Sequence, residues 1–294
     1  MKQVVFTDLD GTFLDRDTYS YRESVAGVER LKGAGIPLVF CSAKTRAEQE
    51  VYRRKLEVFH PFVVENGGAI FIPRDYFPFS FDYHKDMAEF LVIELGISYQ
   101  EIRRLLSKVR EEGGFHFRGF GDMTAEEVAR VSGLDVESAR LAKQREYDEP
   151  IVIASPSPPV ILRERSDRRI SLRINSARQS QITSGETARF LEKIKQAGLN
   201  WTHGGRFYDV MGDNGKGKAV KIVTGLYREM WGEIETIGLG DSLNDLPMLS
   251  AVDIPVLVQK MDSSWESIDL PRLRRIQGIG PEGWSRAIEE IIKR

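Results

Sequence analysis

The sequence predicts an α/β protein in which a parallel-sheet domain is interrupted by a second, α+β domain. Three observations predict it. Over residues 1–80, short apolar runs alternate with amphipathic helical stretches, the pattern of βα units that build a parallel sheet. The same alternation returns from residue 216. Between the two, β-rich runs succeed one another without long helices, as in an antiparallel sheet. The first domain is therefore drawn at 1–82 and 210–294, with the insertion at 83–209; a chain of 294 residues has room for both.

The elements follow in order. "VVF" opens a strand at 3–8, a helix is predicted over 22–33, and Gly33 and Gly35 stop it. "IPLVFCS" is the next strand. "TRAEQEVYRRKLE" is a helix with Thr45 and Glu48 at capping-box spacing, where Ser42 or Thr45 can serve the cap. "FVVENGGAIFIP" reads as strand, Gly-rich turn, strand. In the middle region helices are predicted at 98–112, 124–131 and 135–144. Strands follow at "PIVIAS", "PVILRE" and "RRISLRI", then a helix at "SGETARFLEKIKQAG" and the β-rich "NWTHGGRFYDVMG". The expected arrangement is an antiparallel sheet with its helices on one face. A helix at 216–228, a strand near 234–239, a helix starting around 244 with Pro247 in its first turn, the strand "IPVLVQK" and a closing helix "PEGWSRAIEEIIKR" complete the chain.

Composition narrows the function classes. A net charge of −2 gives no global basic field for nucleic acid or an anionic membrane. The single cysteine, Cys41, permits no internal disulfide and sits in an apolar run, so it reads as a core residue. No signal-peptide pattern opens the sequence and no apolar stretch reaches membrane-spanning length, so a cytoplasmic protein is expected. The four histidines are scattered, without zinc-like spacing.

Four polar clusters carry chemistry. In "VVFTDLDGTFLD", Asp8 and Asp10 end a strand two residues apart, so their carboxylates share a face in extended chain. Like charges so placed resist joint ionisation unless a cation separates them; a polar turn after a strand gives the same pair. "IGLGDSLNDLPML" repeats the form, with Asp241 at a strand end and Asn244 and Asp245 a turn later. That strand edge is where ligands bind in open α/β sheets, although a helix cap would use the same residues. "FCSAKTR" puts the Ser42 hydroxyl at a third strand end beside Lys44, Thr45 and Arg46, near a helix N-terminus that can receive phosphate. "GDNGKGKAV" nearly fits a P-loop, but Ala219 stands where a magnesium-binding hydroxyl is required, which disfavours ATP. Lys216 instead offers a cation for a phosphate or for the surrounding carboxylates.

In order and spacing, DxDGT at Asp8, Ser42 at a strand end, Lys216, and GDxxND at Asp241 resemble the haloacid dehalogenase (HAD) superfamily. The likeness covers both ends of the chain. The segments "SAKTRAEQE", "ENGGAIFIPRDYFP", "AKQREYDEP", "GGRFYDVMGDNGKGKA" and "GLGDSLNDLPM" further resemble the mannosyl-3-phosphoglycerate phosphatase family within it. The resemblance implies a Rossmann-like core with an inserted C2-type cap that chooses the substrate. It implies Asp8 as nucleophile, Asp10 as general acid and base, Ser42 and Lys216 on the phosphoryl oxygens, and Asp8, Asp10, Asp241 and Asp245 around Mg²⁺, with Asn244 in support. The implied substrate is a small phosphorylated sugar-glycerate, for which Lys44, Thr45, Arg46, Asn66, Gly67, Arg145 and Arg206 are the binding candidates. A glucosyl or other sugar-phosphate substrate, a phosphomutase, and a non-catalytic sugar-phosphate binding protein remain the alternatives. Retention of Asp8, Asp10, Ser42, Lys216 and Asp241 speaks against the last.

Overall fold

The computed structural model describes residues 1–153, 184–204 and 206–292. The strands expected at "PVILRE" and "RRISLRI", and the Arg-rich stretch between 163 and 173, lie outside the described residues.

Five strands form the parallel sheet in the order β13-β12-β11-β1-β2: β1 (Lys2–Thr7), β2 (Leu38–Phe40), β11 (Ile234–Gly240), β12 (Ile254–Gln259) and β13 (Arg274–Ile279). Parallel strands covered on both faces read as continuous apolar runs, and β1 divides its side chains between two cores by alternation. Val5 joins Leu38, Leu239 and Val256 against α1 (Val25–Gly33) and α9 (Pro281–Ile292), whose Trp284 is fully buried. Val4 and Phe6 join Val39, Cys41 and Leu257 against α7 (Lys216–Trp231) and α8 (Leu246–Leu249). Cys41 is a core residue as expected, its thiol pushed up to about 12 by burial.

A four-stranded antiparallel sheet, β3-β4-β6-β5, continues from β2 through a bridge between Cys41 and Val63. It contains β3 (Phe62–Val64), β4 (Ala69–Pro73), β5 (Lys85–Asp86) and β6 (Phe90–Glu94). The line drawn between residues 82 and 83 passes through this sheet, because β5 and β6 add to β4. The apolar run "FLVIE" of β6 carried that signal in the sequence.

The third sheet, β7-β8-β10-β9, is antiparallel throughout: β7 (Phe117–Gly119), β8 (Asp148–Ile153), β9 (Asn200–His203) and β10 (Tyr208–Met211). One face packs on α3 (Tyr99–Gly113) and α6 (Ser184–Gln196) through Ile102, Leu106, Phe190 and Ile194. The expectation of helices on one face only is overturned. The short pair α4 (Ala125–Ser132) and α5 (Val136–Ala142) covers the other face, burying Val128, Ala139 and Ala142 against Phe120, Val152 and Phe207. Within this pair α5 packs near α2 (Arg46–Lys55) of the parallel-sheet unit, and residues of the pair line one wall of the cleft.

Among the described residues, no helix is long and apolar enough to cross a membrane.

Candidate active site

Asp8, Ser42 and Asp241 each follow the carboxyl end of a parallel strand, β1, β2 and β11, so the sheet itself brings three distant segments to one edge. Lys216 arrives as the first residue of α7. Its placement depends on Gly67, whose φ is 89° and whose missing side chain leaves room for Gly215: a Cβ there would stand 2.3 Å from the Gly215 carbonyl carbon. The side of Gly67 where a Cβ would stand faces the start of α7.

Lys216 is 1% exposed and donates from Nζ to Asp8 Oδ1 at 2.6 Å and to Asp245 Oδ1 at 2.7 Å. The second Asp245 oxygen accepts from the amides of Asp241 and Ser242, closing the "GDSLND" turn. Asp241 accepts from Thr12 Oγ1 at 3.3 Å and pairs with Arg16 at 3.4 Å. Carboxylate oxygens of Asp8, Asp241 and Asp245 lie within 4.8 Å of one another. Burial, then Asp245, pushes the Asp8 carboxyl up to about 7 although Lys216 opposes it. Burial, then Asp245 and Asp8, holds Asp241 well above the usual carboxylate range. Burial works against the Lys216 ammonium, but Asp245 and Asp8 outweigh it and raise its pKa. Three buried carboxylates against one buried ammonium form an all-oxygen donor set with a charge deficit, which fits a hard divalent cation.

Asp10 is placed differently. Its carboxylate is outside this cluster and meets Lys44 Nζ at 3.0 Å. Lys44 is itself 4% exposed and also faces Glu48 at 3.5 Å. The two aspartates thus meet different buried cations, Asp8 on Lys216 within the acidic cluster and Asp10 on Lys44 outside it.

The cleft between the parallel sheet and the α4–α5 wall is lined by Asp8, Asp10, Ser42, Lys44, Arg145 and Asn244 among the expected residues. Arg145 donates to the Ala43 carbonyl at 2.7 Å and to Asp148 at 3.0 Å, so it crosses from the inserted segment to the loop after β2. Four further expected residues have partners within the protein. Thr45, not Ser42, caps α2 in a reciprocal capping box with Glu48. Arg46 pairs with Glu50 and Glu146. Asn66, at φ 56°, donates to Asp148 at 3.0 Å and Asp209 at 3.2 Å and accepts from Asn244 at 3.2 Å. Arg206 donates to the Ser132 carbonyl and pairs with Asp17. Each of these side chains reads as ligand-facing in sequence, and each has a hydrogen-bond acceptor within the protein.

Sequence reasoning missed Arg16, Tyr19 and Asp209, which line the cleft. Asp209 stood inside the quoted "RFYDVMG" as a lone carboxylate in a strand, a usable signal; burial, opposed by Arg145 and Asn66, pushes it up to about 6. Glu65 was also missed. It is fully buried and accepts from the amides of Glu146, Tyr147 and Asp148, anchoring β8 to the turn after β3.

Comparison with known proteins adds to this geometry. Residues 5–264 match the haloacid dehalogenase-like hydrolase family model. The chain belongs to that family. Within it, this HAD-family chain is 47% identical over 99% of its length to a glucosyl-3-phosphoglycerate/mannosyl-3-phosphoglycerate phosphatase of Methanococcoides burtonii, covering 98% of that protein. It is 37% identical over 88% of its length to the mannosyl-3-phosphoglycerate phosphatase of Pyrococcus furiosus, covering 91% of it. A solved HAD subclass IIB sugar phosphatase shares the fold, with a TM-score of 0.61 at 14% identity over 99% of each chain.

Proposed function

We propose that this chain is a Mg²⁺-dependent phosphatase hydrolysing mannosyl-3-phosphoglycerate or glucosyl-3-phosphoglycerate to the glycosylglycerate and phosphate, in the cytoplasm, through an aspartyl-phosphate on Asp8. The observation that carries it is the separation of the two aspartates: Asp8 at 2.6 Å from Lys216 within the acidic cluster, Asp10 at 3.0 Å from Lys44 outside it. The two relatives' names supply the substrate, and because one of them names both sugars, both belong to the proposal.

The chemistry follows from these positions. An Asp8 oxygen attacks phosphorus, and the bond from phosphorus to the glycerate oxygen breaks. Asp10 gives its proton to that oxygen, which leaves as the alcohol. Asp10 then takes a proton from water as the water oxygen attacks the phosphoryl group, releasing phosphate and restoring both carboxyls. Lys216 and Ser42 hold the phosphoryl oxygens, where positioning and charge stabilisation supply most of the rate. Asp8, Asp241 and Asp245 would hold Mg²⁺, which supplies positive charge against the phosphate dianion. Arg145 is the cation of the inserted segment best placed for the substrate's own anionic groups. Its Nε is buried with no hydrogen-bond partner among the described residues. The segment from α3 to β10 acts as the cap, and its closure excludes water.

The test is phosphate release, with and without Mg²⁺, from both sugar phosphoglycerates, 3-phosphoglycerate and mannose phosphates, with Asp8→Asn as the blank. Mg²⁺-dependent turnover of a sugar phosphoglycerate, lost in the blank, supports the proposal. Turnover confined to the other esters retains the chemistry and removes the substrate.

A further inference from the structure

On the cleft wall, at the end of α4, one carbonyl gathers donors from two sides. Ser132 ends α4, and its carbonyl is one that the helix cannot satisfy itself; Gly133, at φ 81°, turns the chain away. Arg206, on the connection between β9 and β10, donates to this carbonyl, as suits a cation at a helix C-terminus. From the parallel-sheet unit, Tyr19 Oη donates to the same carbonyl at 3.1 Å. Asp17, two residues earlier, pairs with Arg206 at 3.3 Å. The loop after β1 thus grips the inserted segment through Asp17 and Tyr19.

The Tyr19 ring does something else. Lys44 Nζ lies 4.7 Å from its centroid, within cation–π range, and this ammonium is the one that meets Asp10 at 3.0 Å. Tyr19 also has φ 56°, a conformation bulky residues seldom adopt, so the backbone is bent out of its preference to present this side chain. One residue touches the inserted segment with its hydroxyl and the cation beside Asp10 with its ring.

We propose that Tyr19 is a positioning residue that couples the seating of the α4 end against the loop after β1 to the placement of Lys44 beside Asp10. It makes the approach of the inserted segment felt at Asp10, so a substrate large enough to engage both units has its proton donor set as the cleft closes. The inference rests on the reading of Asp10 as acid and base.

Tyr19→Phe removes the grip on Ser132 and keeps the ring on Lys44; Tyr19→Leu removes both. kcat/KM is measured on mannosyl-3-phosphoglycerate and on p-nitrophenyl phosphate, with amide hydrogen exchange across residues 128–134. The expected result for Tyr19→Phe is a loss on the sugar phosphoglycerate about fivefold larger than on the small ester, the worth of one hydrogen bond, with faster exchange at Gly133 and Leu134. Tyr19→Leu lowers kcat on both substrates. Equal effects of Tyr19→Phe on the two substrates, or none, in an active wild type would overturn the coupling. A wild type inactive on both esters would instead defeat the underlying reading of the chemistry; unchanged exchange in Tyr19→Phe would then overturn the grip as well.

Discussion

Replacing Asp8 by asparagine should abolish turnover and, in the metal-free protein at pH 8, make the fold more stable. Asp8 is 6% exposed, in a cluster where Asp245 repels it, Asp10 adds to that repulsion, and Lys216 offsets them at close range. Its folded carboxyl titrates near 7 against an ordinary value of 3.8. A carboxyl raised on folding contributes stability that is complete below its unfolded pKa and is lost as pH rises through its folded one. Between pH 4 and pH 8 ionising Asp8 therefore costs the native state up to about 4 kcal/mol. In Asp8→Asn the new side chain has no charge to gain, its amide oxygen can still accept from Lys216, and Lys216 keeps Asp245 at 2.7 Å. The assay is denaturant unfolding of both proteins in chelator at pH 4 and pH 8, repeated with Mg²⁺. The variant should gain up to about 4 kcal/mol at pH 8 and little at pH 4, and Mg²⁺ should shrink or reverse the gain by neutralising the wild-type carboxylate. A difference between the proteins that does not change with pH, or a variant less stable at pH 8 without metal, would refute the reasoning.

Other perturbations have distinct outcomes. Lys216→Met leaves Asp8 and Asp245 buried without their shared counterion, and should cost about 3–5 kcal/mol in metal-free denaturation while ending phosphate release. Asn66→Ala removes the donor shared by Asp148 and Asp209, with an expected loss of about 2–4 kcal/mol; the Asp209 carboxyl, near 6 in the wild type, should titrate higher by NMR because a hydrogen bond that lowers it is gone. Thr45→Ala breaks the α2 capping box and should lower stability by about 1 kcal/mol while kcat/KM stays within about twofold.

The parallel sheet and the core of the site were legible because both depend on local signals. Buried parallel strands are apolar throughout, and a carboxylate just past such a strand announces itself at Asp8 and Asp241. The capping box of Thr45 and Glu48 was equally plain. β13 was not, since an edge strand with alternating exposure, "RRIQGI", lacks a continuous apolar run. The α4–α5 wall was read as helices but its face was not, because the face a short helix covers is decided by partners such as Phe207, far from it in sequence. The partners of long cations and amides were not legible: Arg46 meets Glu146, Arg206 the Ser132 carbonyl, and Asn66 both Asp148 and Asp209, each far away along the chain. Tyr19 gave no sign, because its position on two partners exists only once α4 meets the loop after β1.

The central claim is that Asp8 forms the covalent intermediate. It is tested most directly by rapid acid quench during turnover of mannosyl-3-phosphoglycerate with Mg²⁺, followed by peptide mass spectrometry. Phosphate found on the peptide containing Asp8, at that residue, and absent when Mg²⁺ is chelated, is the predicted result. Steady turnover with no phosphorylated Asp8, or turnover that survives in Asp8→Asn, would contradict it.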